Sequence, residues 1–83
     1  IALRLEETEI PEGSPLVGRT LADAKIPQRT GLIVLALRCC GGDGAPIYNP
    51  GPDTRLSAHD VMIVLGEPDQ VQKLREYVGS AGA

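Results

Sequence analysis

The single histidine of the chain, His59, stands directly before Asp60. A histidine beside a carboxylate is the pairing from which a general base and its orienting group are built. No nucleophile motif accompanies the pair, and neighbouring side chains on an extended segment point apart. We therefore interpret His59 as a turn residue before a strand and expect no enzymatic activity. Contact with a ligand, or pH sensing by an imidazole that titrates near neutral pH, is the alternative.

An acidic cluster lies near the amino-terminal end of the sequence. Its members are Glu6, Glu7, Glu9 and Glu12. Carboxylate oxygens are suitable ligands for a hard divalent cation, but this spacing fits no EF-hand loop. The pattern favours a solvated strand face, with a cation site as the alternative.

Three further features follow the apolar segment 32–37. Arg38 ends the run, where its guanidinium could bind a phosphate bidentately or simply extend into solvent. Cys39 and Cys40 are neighbours, and a bridge between them would be strained because bridged Cα atoms usually lie more than about 4.4 Å apart. We predict reduced thiols, which fit a cytosolic compartment. The glycine-rich segment 41–44 lacks a following GK[ST] and predicts a hairpin turn rather than a phosphate loop.

The elements that position these residues follow from hydrophobic periodicity. Thr20 with Asp23 resembles a capping box, and the short helix that it begins must end before Pro27. Val71, Leu74 and Val78 recur at helical spacing and predict the buried stripe of a second helix that begins near Glu67 and ends at Gly79. Strands are predicted within residues 1–10, 31–38, 45–50 and 61–65.

This order predicts an α+β fold, a small β-α-β-β-β-α mixed sheet with helices on one side. The helical connection allows the first two strands to be parallel, whereas tight turns favour antiparallel pairing of the later ones. Segments 32–37 and 61–65 are apolar on both faces. Helices cover one face only, so the other requires more protein, and we expect a homodimer.

Composition excludes several classes of protein. The 83 residues are 42% hydrophobic and 23% charged, which excludes a disordered acidic tail. The formal net charge is −3 and only 2% of the residues are aromatic, so we expect no nucleic-acid partner. No apolar segment approaches the roughly 20 residues of a membrane span, and we expect no membrane insertion.

Four segments carry a family resemblance, in one order along nearly the whole chain. They span residues 12–21, 31–38, 47–54 and 60–74. The first reads EGSPLVGRTL, the second GLIVLALR, and the third begins with IYNP; the fourth contains DVMIVLG and then VQKL. Together they resemble the TrkA-C domain, the C-terminal regulatory module of RCK subunits in potassium channels and potassium transport proteins. His59 stands where the family usually has glycine, which implies a positive φ at a strain cost of about 1 kcal/mol.

The resemblance implies one TrkA-C-like domain over residues 1–80, followed by a frayed tail at 81–83. Such domains follow a Rossmann-like RCK domain, form dimers in the cytoplasm and regulate ion transport through a membrane pore or transporter subunit. Some bind a cyclic dinucleotide, and others respond to nucleotides or to cations such as a divalent ion. Carried over by position, the ligand-binding residues are Arg38, Ile47, Asn49 and Pro50. The alternative is a purely structural dimerisation domain of a transporter or antiporter, without a ligand.

Overall fold

A computed structural model describes residues 3–39 and 45–79. The predicted turn at 41–44, Cys40 and the predicted tail at 81–83 lie outside these residues. The described chain contains four strands and three helices, in the order β1 Arg4–Glu9, α1 Leu21–Ala24, α2 Ile26–Thr30, β2 Ile33–Arg38, β3 Ile47–Tyr48, β4 Val61–Gly66 and α3 Pro68–Gly79.

The strands form one sheet in the order β1-β4-β2-β3, and all three strand pairs are antiparallel. The α+β prediction is confirmed, but the prediction of a mixed sheet is wrong. β1 and β2 do run in the same direction, as the helical connection between them suggested. They are not neighbours, because β4 lies between them and pairs with both.

The connection from β1 to β2 contains two helices where the sequence predicted one. The Thr20 hydroxyl accepts a hydrogen bond from the Asp23 backbone at 3.2 Å, so the predicted cap is confirmed. Lys25 has a left-handed φ of 53° and ends α1. Pro27 then lies in the first turn of α2, where its missing N–H costs no helical hydrogen bond. The proline therefore lies at the start of a second helix, and the left-handed Lys25 ends the first.

The core lies between the sheet and the helices. Val71, Leu74 and Val78 are the buried residues of α3, which confirms the predicted stripe. On β4, Met62 and Val64 are fully buried. Gly66 ends this strand at a point where the side chains of Leu32 and Gln70 approach its backbone closely. Among the helices of residues 3–39 and 45–79, none has the length and hydropathy of a membrane span.

The opposite face of the sheet has an apolar row that is not covered. Leu5, Leu65 and Ile33 lie in one row across β1, β4 and β2. Leu5 is 62% exposed and Ile33 is 57% exposed. The helices of a single copy therefore leave one apolar face of the sheet open to solvent, as the apolar composition of both faces predicted.

Candidate functional site

The four residues nominated from the sequence lie along one edge of the sheet. β3 returns beside β2, with Ile47 opposite Leu37, the neighbour of Arg38. The Asn49 backbone N–H then donates to the Leu35 carbonyl at 2.9 Å. Strands rise about 3.3 Å per residue, so the nominated residues are spread over roughly 10 Å or more. They form an extended line and not a single tight pocket.

Asn49 ends the pairing between β2 and β3. Its φ of 48° is left-handed, a conformation that asparagine adopts more readily than most residues. The strand pairing of β3 is limited to Ala36 and Leu37, so β3 does not extend along the first half of β2. The turn that follows Asn49 thus leaves room beside that half of β2.

An open apolar cleft of about 320 Å³ occupies this room. Residues of α1, α2, β2 and the turn after β3 contribute to its walls, and the lining side chains are almost all apolar. They are Leu21, Ala22, Pro27, Gln28, Leu32, Ile33, Val34, Pro50 and Pro52. Such a cleft can hold a flat apolar or aromatic group, with the Gln28 amide as the polar group among its lining side chains.

Of the nominated residues, only Pro50 lines the cleft. Arg38 lies at the far end of β2 and is half-buried, and both Ile47 and Asn49 are exposed. Sequence reasoning missed the contribution of the helices, because it did not predict α2. The apolar residues on both faces of β2 were the signal that its first half meets more than the core.

A polar cluster separate from the cleft surrounds His59. Its Nδ1 lies 3.1 Å from Oε2 of Glu9, and its Nε2 lies 3.3 Å from Oε2 of Glu12. The hydrogen bond to Glu9 is the larger cause, and the hydrogen bond to Glu12 the smaller, of a pKa of His59 that lies above its usual value near 6.5. The φ of His59 is 69°, so the positive φ implied by the family resemblance is confirmed.

Asp60 does not act as an orienting partner of His59. Asp60 is buried, and its Oδ2 accepts a hydrogen bond from the Ser57 backbone at 2.9 Å. The hydrogen-bonding partners of the His59 ring are instead Glu9 and Glu12. The interpretation of His59 as a turn residue before a strand is therefore confirmed, because it lies in the turn that leads into β4.

Three of the four glutamates in the acidic cluster contact one of two partners. Glu6 lies 3.4 Å from Nη2 of Arg75 on α3, while Glu9 and Glu12 contact His59. Within residues 3–39 and 45–79, no group of three or more histidine, cysteine or acidic side chains is arranged to hold a metal ion.

Comparison with known proteins gives one family and several structural neighbours. The TrkA-C domain family matches residues 5–79. Potassium channel protein 1 of Methanocaldococcus jannaschii is 33% identical over 69 residues, which are 83% of this chain. The match spans only 20% of that channel protein.

Among solved structures, the RCK_C domain dimer of S. agalactiae BusR in complex with c-di-AMP has a TM-score of 0.81 at 22% identity. The alignment covers 93% of this chain and 91% of that one. BusR has also been solved with its busAB-promotor DNA. The RCK C domain of the potassium transport protein KtrA, in complex with c-di-AMP, has a TM-score of 0.76 at 20% identity. That alignment covers 89% of this chain and 81% of the KtrA chain.

Proposed function

Because the chain belongs to the TrkA-C domain family, we propose that it is a non-catalytic regulatory module of a potassium channel or potassium transport protein. It works as a homodimer on the cytoplasmic side of the membrane, attached to a Rossmann-like RCK domain. A small ligand controls gating by binding one of two conformational states more tightly than the other. The observation that carries this proposal is the apolar cleft beside the β2–β3 edge.

A cyclic dinucleotide is the ligand that we propose. The cleft is apolar and open, and a purine ring is a flat group that could pack between Ile33 and Pro50. Asn49 follows β3 directly and offers an amide to a base edge. Arg38 lies further along β2, where its guanidinium could bind a phosphate bidentately. The extended line of these residues suits a ligand with separated bases and phosphates better than a compact ion.

Homodimerisation is supported by the open face of the sheet. Leu5 and Ile33 flank Leu65 in one row, and burial of this row against a second copy would remove apolar surface from water. A chain of 83 residues has a small core, so the added burial stabilises it substantially. Ile33 both lines the cleft and belongs to the open row. The ligand site and the dimer contact are therefore adjacent.

A purely structural dimerisation domain is the second candidate. The lining of the cleft includes no charged side chain, and a dinucleotide carries two negative phosphates. If Arg38 does not reach the ligand, nothing in the cleft itself neutralises that charge. The two candidates therefore differ in the role of Arg38.

Ligand titration separates the candidates. We expect c-di-AMP to raise the thermal midpoint of the full chain, because a ligand at 100 times its Kd adds about 2.7 kcal/mol to the free energy of unfolding. Arg38→Gln should weaken c-di-AMP binding measured by calorimetry. Arg4→Gln, which changes an exposed arginine on β1, at the opposite edge of the sheet from β3, is the matched control. Absence of any c-di-AMP effect on the wild-type midpoint would favour the structural candidate. Equal binding by both variants would remove Arg38 from the site.

A further inference from the structure

Three segments of the chain meet at the His59 side chain. Glu9 ends β1, Glu12 lies in the following turn, and His59 lies in the turn before β4. The backbones of Ile10 and residues 59–60 are already joined, since His59 N–H donates to the Ile10 carbonyl at 2.7 Å and Ile10 N–H donates to the Asp60 carbonyl at 2.8 Å. Glu12 is tied to this junction by the His59 ring.

The geometry of the ring determines its charge. A carboxylate accepts hydrogen bonds and cannot donate them, so each ring nitrogen next to a carboxylate needs a proton. A neutral imidazole carries one N–H only, whereas the imidazolium carries two. With Glu9 at Nδ1 and Glu12 at Nε2, both contacts are hydrogen bonds only when His59 is protonated.

A shared metal ion does not explain the same arrangement. Glu9 and Glu12 contact different nitrogens of the ring, whose lone-pair directions diverge, so the three side chains do not surround one point. The cluster is also open to solvent, with the side chains of His59 and Glu9 about half exposed and Glu12 84% exposed. Protons therefore exchange freely with the ring.

The other charged groups near the junction do not provide a competing partner for the ring. The Asp60 carboxylate accepts from the Ser57 backbone, and Glu7 lies two residues before Glu9 on β1, in register with Ile63. Val61 on β4 is in register with Arg38 of β2 on one side and with Glu9 of β1 on the other. Arg38 therefore lies in the same row of the sheet as Glu9, with β4 between the two strands.

We propose that His59, Glu9 and Glu12 form a proton-operated clasp that ties the turn after β1 to the turn before β4. The clasp is closed while the imidazole is protonated. Loss of the ring proton leaves one nitrogen as an acceptor facing a carboxylate, and the hydrogen bond to that carboxylate is lost. When that nitrogen is Nε2, which faces Glu12, the turn at 11–14 has one tether fewer, while the backbone bonds of Ile10 keep β1 in place.

The direction of the pH effect follows from linkage. The pKa of His59 is raised above 6.5 in the folded chain by its hydrogen bonds to Glu9 and Glu12. The stabilisation is fully present below the unfolded pKa of about 6.5, provided that the carboxylates are ionised. It is lost as the pH rises through the folded pKa. The solvent exposure of all three side chains keeps the effect small and sensitive to salt.

NMR titration of the His59 ring tests the clasp directly. We expect a pKa above 6.5 in the full chain, and a lower pKa in both Glu9→Gln and Glu12→Gln. Glu7→Gln is the matched control, because Glu7 is an exposed glutamate on the same strand with no hydrogen bond to His59. A wild-type pKa at or below 6.5, or no greater change in Glu9→Gln and Glu12→Gln than in Glu7→Gln, would overturn the proposal.

A second measurement uses the His59→Gly variant, since glycine adopts the φ of 69° without strain. Relief of strain shifts the thermal midpoint equally at every pH, whereas loss of the clasp lowers it only where His59 is protonated. We expect the thermal midpoint of the variant, relative to that of the wild type, to be lower at pH 5.5 than at pH 8.5. An equal difference at both pH values would contradict the clasp. Neither measurement involves a ligand, so its outcome is independent of the proposed regulatory function.

Discussion

Gly66 is the position at which the packing of α3 onto the sheet is most easily tested. A Cβ added there would lie 2.2 Å from Cδ2 of Leu32 and 2.6 Å from Oε1 of Gln70. Both atoms are side-chain ends, but neither can move freely. Leu32 is fully buried. The Gln70 oxygen accepts the backbone N–H of Glu67 at 2.8 Å and so caps the start of α3.

The expected cost of Gly66→Ala follows from these contacts. Overpacking a filled core costs about 1–3 kcal/mol. Loss of a helix cap costs about 0.5–2 kcal/mol. The lower entropy of the unfolded chain returns about 0.4–1 kcal/mol. We expect the free energy of unfolding to fall by about 2 kcal/mol, which lowers the thermal midpoint by roughly 8–16 °C in a domain of this size.

Urea unfolding followed by circular dichroism measures this change in the full chain. Gly51→Ala is the matched control, because a Cβ at Gly51 has no heavy atom within 4 Å and its φ is not left-handed. We expect Gly51→Ala to be neutral or slightly stabilising. A Gly66→Ala chain as stable as Gly51→Ala would refute the close approach of Leu32 and Gln70 to the strand.

Three further substitutions test local features, each by urea unfolding. Leu74→Ala empties a fully buried site on α3 and should cost about 2–5 kcal/mol, against little change for the exposed Lys73→Ala; an equal effect of the two would contradict the stripe. Thr20→Ala removes the hydroxyl that caps α1 and should cost about 1 kcal/mol, whereas Thr20→Ser should retain most of the stability. Lys25→Gly should stabilise by up to about 1 kcal/mol, because glycine relieves the left-handed φ of 53° between α1 and α2; destabilisation would argue against that backbone conformation.

The strongest local patterns of the sequence correspond to the structure. The spacing of Val71, Leu74 and Val78 is sufficient to predict α3 and its buried side, because helical periodicity depends only on the local chain. Thr20 likewise indicates where α1 begins. The left-handed backbone at His59 could be predicted only from a resemblance, since no local pattern shows that the position is usually glycine.

Features that depend on distant segments were not predictable in the same way. The place of β4 between β1 and β2 is a tertiary choice, so the sheet was expected to be mixed although it is antiparallel. Pro27 predicts the end of a helix from the local sequence alone, because its place in the first turn of α2 depends on the left-handed Lys25 turning the chain. The cleft forms where α2 meets the turn after Asn49, and these two segments are far apart in the sequence. The contacts of His59 join residues about 50 positions apart, which no pattern within one segment could indicate.

Self-association through the open face of the sheet is the central feature of the proposed regulatory module. Sedimentation equilibrium of the full chain at high concentration should give twice the 8.8 kDa mass of one copy. Leu5→Glu should reduce the mass to that of a single copy, whereas Val17→Glu, at a 41% exposed residue outside the sheet, should leave the dimer intact. A well-folded wild-type chain that sediments as a single copy at every concentration would contradict the account.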